Sequence, residues 1–238
     1  GWSWTDLRRM YTLLEYTDMC EDKEAVSKCT AVTRFFRAFF YFEKVKRFGD
    51  VPWYDIQLGS ADELLYKPRD SRELILTKML EDIDYAINSG GLTESAADPY
   101  HVNKWAALAL KAQFCLFEGT YRKYHNLNLD GHDANFYLDL AAKAALEIIE
   151  KGPYKLYQTG HPEKDYLTLF AQKDASPEEY ILAIKFDYAI GARHNASAYT
   201  LLPTQGRPGL TRKFINTYLM DNGTAFTDKP GWQEMQFI

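Results

Sequence analysis

Arg34–Asp55 reads RFFRAFFYFEKVKRFGDVPWYD, and this stretch decides the fold. Phe35, Phe39 and Phe42 fall at i, i+4 and i+7, and Phe36 and Phe40 widen the same stripe. An apolar helix face that broad must be covered by neighbours on more than one side. Gly49 supplies the left-handed cap that helix ends favour, and Pro52 cannot continue a helix. The pattern therefore predicts a helix from Asp22 to Phe48 and an extended loop from Val51 to about Lys67.

The same periodicity extends in both directions. A first helix is expected over Trp4–Cys20, with Leu7, Met10, Tyr11 and Leu14 on one stripe. A third opens at Asp70 or Ser71, either a good N-cap, carries Leu76, Leu80, Ile83 and Ile87, and closes at Gly90-Gly91. A fourth, Val102–Tyr124, presents Ala106, Ala107, Ala109 and Ala112; a fifth, Phe136–Lys151, presents Ala141, Ala142, Ala144 and Ala145 before Gly152-Pro153. Small residues on helix faces let backbones approach closely, and successive amphipathic pairs that bury their faces on the next pair are the pattern of tetratricopeptide-like repeats. No clean self-match at a fixed period accompanies it, so the alternation of helices and short loops carries this reading.

After Pro153 the texture changes. Glu179–Phe186 (EYILAIKF) reads as a short strand, a loop rich in Gly, Asn and Tyr follows, and Arg212–Met220 reads as a last helix before Asp221-Asn222-Gly223. The expected fold class is mainly α: a tetratricopeptide-like scaffold over residues 1–152, with an irregular, loop-rich part containing short strands over 153–238, both in one domain.

Of the 238 residues 46% are hydrophobic, enough to fill a core, and the net charge is −5. The basic residues are scattered in small groups such as Arg8-Arg9 and Lys44-Lys46-Arg47, without the concentrated basic face that phosphate backbones require, so no nucleic-acid partner is expected. Cys20, Cys29 and Cys115 form no CxxC pair and have no His at zinc-finger spacing; they read as free buried thiols. No apolar run approaches the ~18 residues of a membrane span, and GWSWTDLRRM has neither an initiator Met nor a signal-peptide core. We expect a piece of a longer protein.

Chemistry-bearing motifs are sparse. Asn126–Tyr137 begins like a calcium loop but offers Tyr137 where a bidentate Glu is needed, and the five histidines form no HExxH; no metal ligand is assigned. The sequence contains no GxSxG, GxGxxG or GxxxxGK[ST], so no catalytic residue and no cofactor are assigned. Glu81, Asp82 and Asp84, and Glu178-Glu179, read as solvated helix and strand-edge charges. What remains is aromatic and amide chemistry in loops: Trp2, Trp53, Tyr54, Tyr188, His194, Asn195, Tyr199 and Trp232. A flat ring stacks on the C–H face of a sugar while an amide bonds its hydroxyls, so Trp2, Trp53, Tyr54, Tyr188, His194, Asn195 and Trp232 are the candidate ligand-binding residues.

Four segments in order resemble the SusD/RagB family of outer-membrane nutrient-binding lipoproteins. RAFFYFEKVKRFGDVPW is similar to the family's helix that runs into an extended loop at FGDVP, and KPRDSRELILTKMLEDIDYAI to the helix that follows. HVNKWAALALKAQFCLFEGTYRKYH resembles the next, with His101 and Gln113 at positions usually Arg, and PGLTRKFINTYLMDNG a later segment, with Asn222 at a position usually Asp. The resemblance implies a protein that breaks no bond. It would capture a glycan or oligosaccharide at the cell surface and pass it to a SusC-like TonB-dependent transporter, held at the outer membrane by an N-terminal lipid anchor. The lipobox cysteine and the family's C-terminal part are expected outside these residues. The competing readings are a glycoside-acting enzyme with a helical toroid and a protein-binding helical-repeat scaffold.

Overall fold

Four long helices, paired as two hairpins, build the framework in the computed structural model, which describes residues 1–206 and 209–234. The chain divides into two units, Gly1–Ile184 and Lys185–Ile238.

The first unit contains α1 (Thr5–Glu15), α2 (Lys23–Phe48), α3 (Arg72–Asn88), α4 (Lys104–His125), α5 (Ala134–Lys151) and α6 (Pro162–Ala171). Polar side chains set the starts of the four long ones. Asp22 accepts the Glu24 and Ala25 amides at 3.0 Å, Ser71 the Leu74 amide at 3.3 Å, Asn103 the Ala106 amide at 2.8 Å and Asp133 the Phe136 amide at 2.9 Å. Each satisfies an amide that has no partner within the helix. The first expected helix stops at Glu15, with a 3-10 turn over Thr17–Met19 in place of its last turn.

Pairing follows the expected tetratricopeptide-like pattern: α2 packs on α3 and α4 on α5. Close approach of α4 and α5 depends on Gly119, where a Cβ would stand 2.7 Å from the Leu138 side chain and 3.0 Å from the Ala134 carbonyl oxygen. Ala106, Ala107, Ala141 and Ala144 are buried, whereas Ala142 faces solvent. The main core joins Leu7 and Tyr11 of α1, Phe35, Tyr41 and Phe42 of α2, Ile75, Met79 and Ile83 of α3, and Phe114 of α4. Only part of the aromatic stripe is core: Phe36 and Phe39 remain 41% and 43% exposed.

Charge enters this core in pairs. Asp82, expected to be solvated, is buried and accepts both Nε and Nη2 of Arg37 at 2.6 Å. Its neighbours Glu81 and Asp84 do lie toward the surface, where Lys78 and Lys111 meet them. The cysteine expectation also changes: Cys115 is buried, but Cys20 and Cys29 are exposed free thiols.

The strand expected at Glu179–Phe186 does not form. Its alternation of residue types has no strand to pair with: the Tyr180 amide turns back to Ser176, the Ala183 amide bonds the Pro99 carbonyl, and Ile181 packs against the helical core. Among the described residues β pairing is limited to isolated bridges such as Val51–Asp70 and Asp187–Ala192. The second unit carries two short helices, α7 (Ala196–Leu201) and α8 (Arg212–Ile215). The helix expected over Arg212–Met220 thus ends after one turn, and Pro208, in the segment matched to the family, lies outside the described residues. No helix of the described residues is long and apolar enough to cross a membrane.

Candidate functional site

The end of α2 creates the site. Gly49 adopts φ 68°, ψ −118°, a positive-φ conformation outside the left-handed helical basin, while its amide bonds the Val45 carbonyl. The chain then leaves the helix in extended form and is pinned by Asp70, whose amide bonds the Val51 carbonyl at 3.1 Å. The Asp70 carboxylate accepts the Trp53 amide at 2.6 Å and the Lys67 ammonium at 2.7 Å. Residues 52–69 become a loop standing beside α1, and between them lies a cleft of about 740 Å³.

Successive residues of an extended chain point to opposite sides. Trp53 therefore turns inward, 4% exposed, with its ring stacked on Tyr41 at 4.2 Å and its Nε1 donating to Asp55 at 2.7 Å. Tyr54 turns outward and lines the cleft. Of this adjacent pair of candidates, one braces the loop and the other lines the cleft.

On the opposite wall, Trp4, Leu7, Arg8 and Tyr11 of the α1 region share a face at helical spacing. The Tyr11 hydroxyl donates to the Tyr54 carbonyl, and Thr12 donates to the Gln57 side-chain oxygen at 2.5 Å, tying α1 to the loop. Burial pushes the Tyr11 hydroxyl up to about 12, so it remains a donor at ordinary pH. Trp2, 48% exposed, meets Trp4 and Phe48 edge-on at 5.1 and 4.8 Å, which fixes its ring while leaving much of it open. Lys44 of α2 holds this N-terminal segment: its ammonium donates to the Gly1 and Ser3 carbonyls at 2.6 and 2.8 Å.

The remaining candidates lie in the second unit. Tyr188 is 76% exposed with the Arg193 guanidinium 3.9 Å from its ring centre; the His194 ring meets Phe186 edge-on, and Asn195 starts α7 without capping it. Trp232 is half-buried with Arg212 at 5.6 Å. Trp2 and Tyr54 are thus the two candidates that share the cleft, where sequence reasoning missed Arg8, Tyr11, Gln57 and Arg69. Trp4, Arg8 and Tyr11 at i, i+4 and i+7 were a usable signal for two of these; nothing local marked Gln57 or Arg69. A second groove of the first unit, about 430 Å³, is lined by Phe35, Phe39, Leu169 and Phe170 together with Gln113, Glu179 and Tyr180.

No family model matches the chain, and no curated protein does. Solved structures do. A SusD-like protein from Bacteroides fragilis superposes with a TM-score of 0.66 at 25% identity, over 92% of this chain and 40% of that one. A crystal structure with xylogluco-oligosaccharide matches with a TM-score of 0.58 at 21% identity, over 77% and 34%. A laminarin-binding SusD-like protein matches with a TM-score of 0.50 at 20% identity, over 68% and 32%. The chain spans 32–40% of the length of these proteins.

Proposed function

We propose that this chain, a SusD-like protein by its helical fold and its sequence, is part of a cell-surface lipoprotein that captures a glycan or oligosaccharide. The captured ligand passes to a SusC-like TonB-dependent transporter for import across the outer membrane. The observation that carries the capture role is the cleft: Trp2 held edge-on with much of its ring open, Tyr54 beside it, and guanidinium, amide and hydroxyl groups of Arg8, Gln57 and Ser60 within the same walls. Rings that accept a sugar face, flanked by hydrogen-bonding groups, are how a wet, amphipathic ligand is held. The likeness to a structure with xylogluco-oligosaccharide and to a laminarin-binding protein supports that ligand class.

Binding without bond cleavage is the reading the lining favours. Glycoside hydrolysis uses two carboxyl groups flanking the scissile bond, about 5–10 Å apart. No Asp or Glu is among the residues lining this cleft, and the buried carboxylates of Asp82, Glu73 and Glu118 are committed to arginines.

Calorimetric titration of the full-length protein against a polysaccharide panel, with newly formed reducing ends assayed in the same mixtures, tests this. Heat of binding without new ends is the expected result, and Trp2→Ala should weaken the binding by about 1 kcal/mol, roughly fivefold. New reducing ends would place the glycoside-acting reading first. Absence of binding to every glycan would remove the capture role.

A further inference from the structure

We infer that the cleft between α1 and the 52–69 loop is built for an acidic glycan, one whose sugars carry carboxylate or sulfate groups; this rests on the glycan-capture reading. Three of the lining residues are cationic, Arg8, Lys67 and Arg69, and none is anionic, in a chain whose net charge is −5. Lys67 is matched by Asp70. Among the described residues Arg8 and Arg69 have no carboxylate partner, although Arg9, next in sequence to Arg8, is paired with Asp6 at 3.2 Å. The bias is therefore local to the cleft side of α1.

The hydrogen bonds point the same way. Several acceptors in and beside the cleft are used within the protein. The Tyr54 carbonyl takes the Tyr11 hydroxyl, the Gln57 side-chain oxygen takes Thr12, the Trp53 carbonyl takes Lys67 at 2.7 Å, and the Phe48 carbonyl takes Arg69 at 3.3 Å. The side-chain oxygen of Asp55, nearby on the loop, receives the Trp53 indole N–H. The cleft lining includes two guanidiniums and the Gln57 amide N–H groups, which only donate, beside the hydroxyls of Thr5 and Ser60, which donate and accept. A neutral sugar presents hydroxyls that both donate and accept, and it is best met by a mixture that includes carboxylates or carbonyls. A carboxylate or sulfate only accepts. Guanidinium is the side chain whose fork matches such planar or trigonal oxyanions two bonds at a time. The rings of Trp2 and Tyr54 then take the C–H face of the same or the adjacent sugar, and Arg69, 5.3 Å from the Trp2 ring centre, stands where it can hold an acid group beside that ring.

The test titrates the full-length protein with matched oligosaccharide pairs: galacturonide, glucuronide and sialylated oligomers, each against its methyl-ester form, and a sulfated oligomer against its desulfated form. The expected result is that at least one acidic member binds tenfold or more tightly than its neutral counterpart, with affinity falling as salt rises. The carboxylate and sulfate arms tell the two sources of charge apart. Arg8→Gln combined with Arg69→Gln should abolish the preference for acid with little change in the thermal midpoint, since both side chains are exposed and Arg69 gives up only a 3.3 Å bond to the Phe48 carbonyl and its contact with the Trp2 ring. If some pair binds and no acidic member exceeds its neutral counterpart, or if the double variant keeps the preference, this inference is overturned while glycan capture stands. Absence of binding to every member, acidic and neutral, overturns both.

Discussion

Replacing Glu118 with Gln should destabilise the protein by about 3–5 kcal/mol. Glu118 of α4 has no exposed surface and accepts Arg72 Nε at 2.8 Å, Arg72 Nη2 at 2.6 Å and Arg122 Nε at 2.8 Å. Arg122, also without exposed surface, extends the chain to Glu73, and Glu73 meets His132 Nδ1 at 2.5 Å. Burial opposes the Arg122 charge, and the Glu73 and Glu118 carboxylates more than offset it, so its pKa is raised. Two arginines and two glutamates alternate and cancel. The substituted amide would keep the shape and one acceptor, but it would turn an N–H group toward arginine donors and leave two buried cations facing one anion. Removing one member of a buried, hydrogen-bonded set costs more than replacing a whole pair with apolar groups of similar size. The double variant Arg72→Met/Glu118→Leu, in which Arg122 keeps Glu73, should therefore lose less than Glu118→Gln alone. Urea unfolding followed by circular dichroism measures both. A loss below about 1 kcal/mol for Glu118→Gln, or a double variant worse than the single, would refute unbalanced buried charge as the main cause.

Three further outcomes are expected. Gly49→Ala should cost about 1–3 kcal/mol from backbone strain alone, because φ 68°, ψ −118° is a glycine conformation and an added Cβ would meet no atom within 4 Å; an unchanged melting temperature would remove the strain argument. Asp70→Ala, which strips the carboxylate from the Trp53 amide and Lys67, should cost about 1.5–3 kcal/mol and weaken glycan binding by loosening the cleft wall; full stability with full affinity would contradict it. Stability should fall as pH rises above about 9. Burial raises the Cys115 thiol from its ordinary 9.0 to about 12, so the folded state holds that proton more tightly than the unfolded state, and the contribution present below 9 is lost at up to about 1.4 kcal/mol per pH unit. Tyr11, raised to about 12 by burial, adds to the loss above 10. Cys115→Ala should flatten the slope of the urea midpoint between about pH 9 and 10, and an unaltered slope would exclude this thiol as the cause.

The helical framework was legible because its signals are local. Asp22, Ser71 and Gly49 mark helix ends within one turn. Sequence alone placed the ends at Asp22 and Gly49 and narrowed the third helix's start to Asp70 or Ser71, although Gly49 has a positive φ outside the left-handed helical basin expected of it. The misreadings share a physical reason: they depend on partners far along the chain. Arg37 and Asp82 meet across 45 positions, and nothing near Asp82 distinguishes it from the solvated Glu81. EYILAIKF has the alternation of a strand, but a strand also needs a neighbour, and its amides find turns and the Pro99 carbonyl instead. α6 was missed although Pro162 at its start and Glu163 and Asp165 in its first turn are ordinary start signals. At the site, residue chemistry selected Trp2 and Tyr54, which share the cleft, and equally selected Trp53, which the alternation of an extended chain turns into the core.

The aromatic helix and the cleft are therefore linked by mechanics. The inward rings of α2, Tyr41 above all, give Trp53 a surface to stack on, and that stacking sets the direction in which Tyr54 points. Lys44, on the same helix near its end, draws in the Gly1 and Ser3 carbonyls and with them Trp2 and Trp4, so both walls take their position from one rigid element. Burial disfavours the Lys44 charge, as does the nearby Arg47, while Asp6, the carbonyl oxygens and the rings of Trp4 and Phe40 support it. In the cleft the Trp53 carbonyl and the Asp70 carboxylate hold Lys67, and the Phe48 carbonyl takes Arg69, while no acidic side chain is set against Arg8 or Arg69. Cations that the scaffold does not neutralise are available to a ligand, and a ligand that neutralises them gains most where rings have already excluded water from one side.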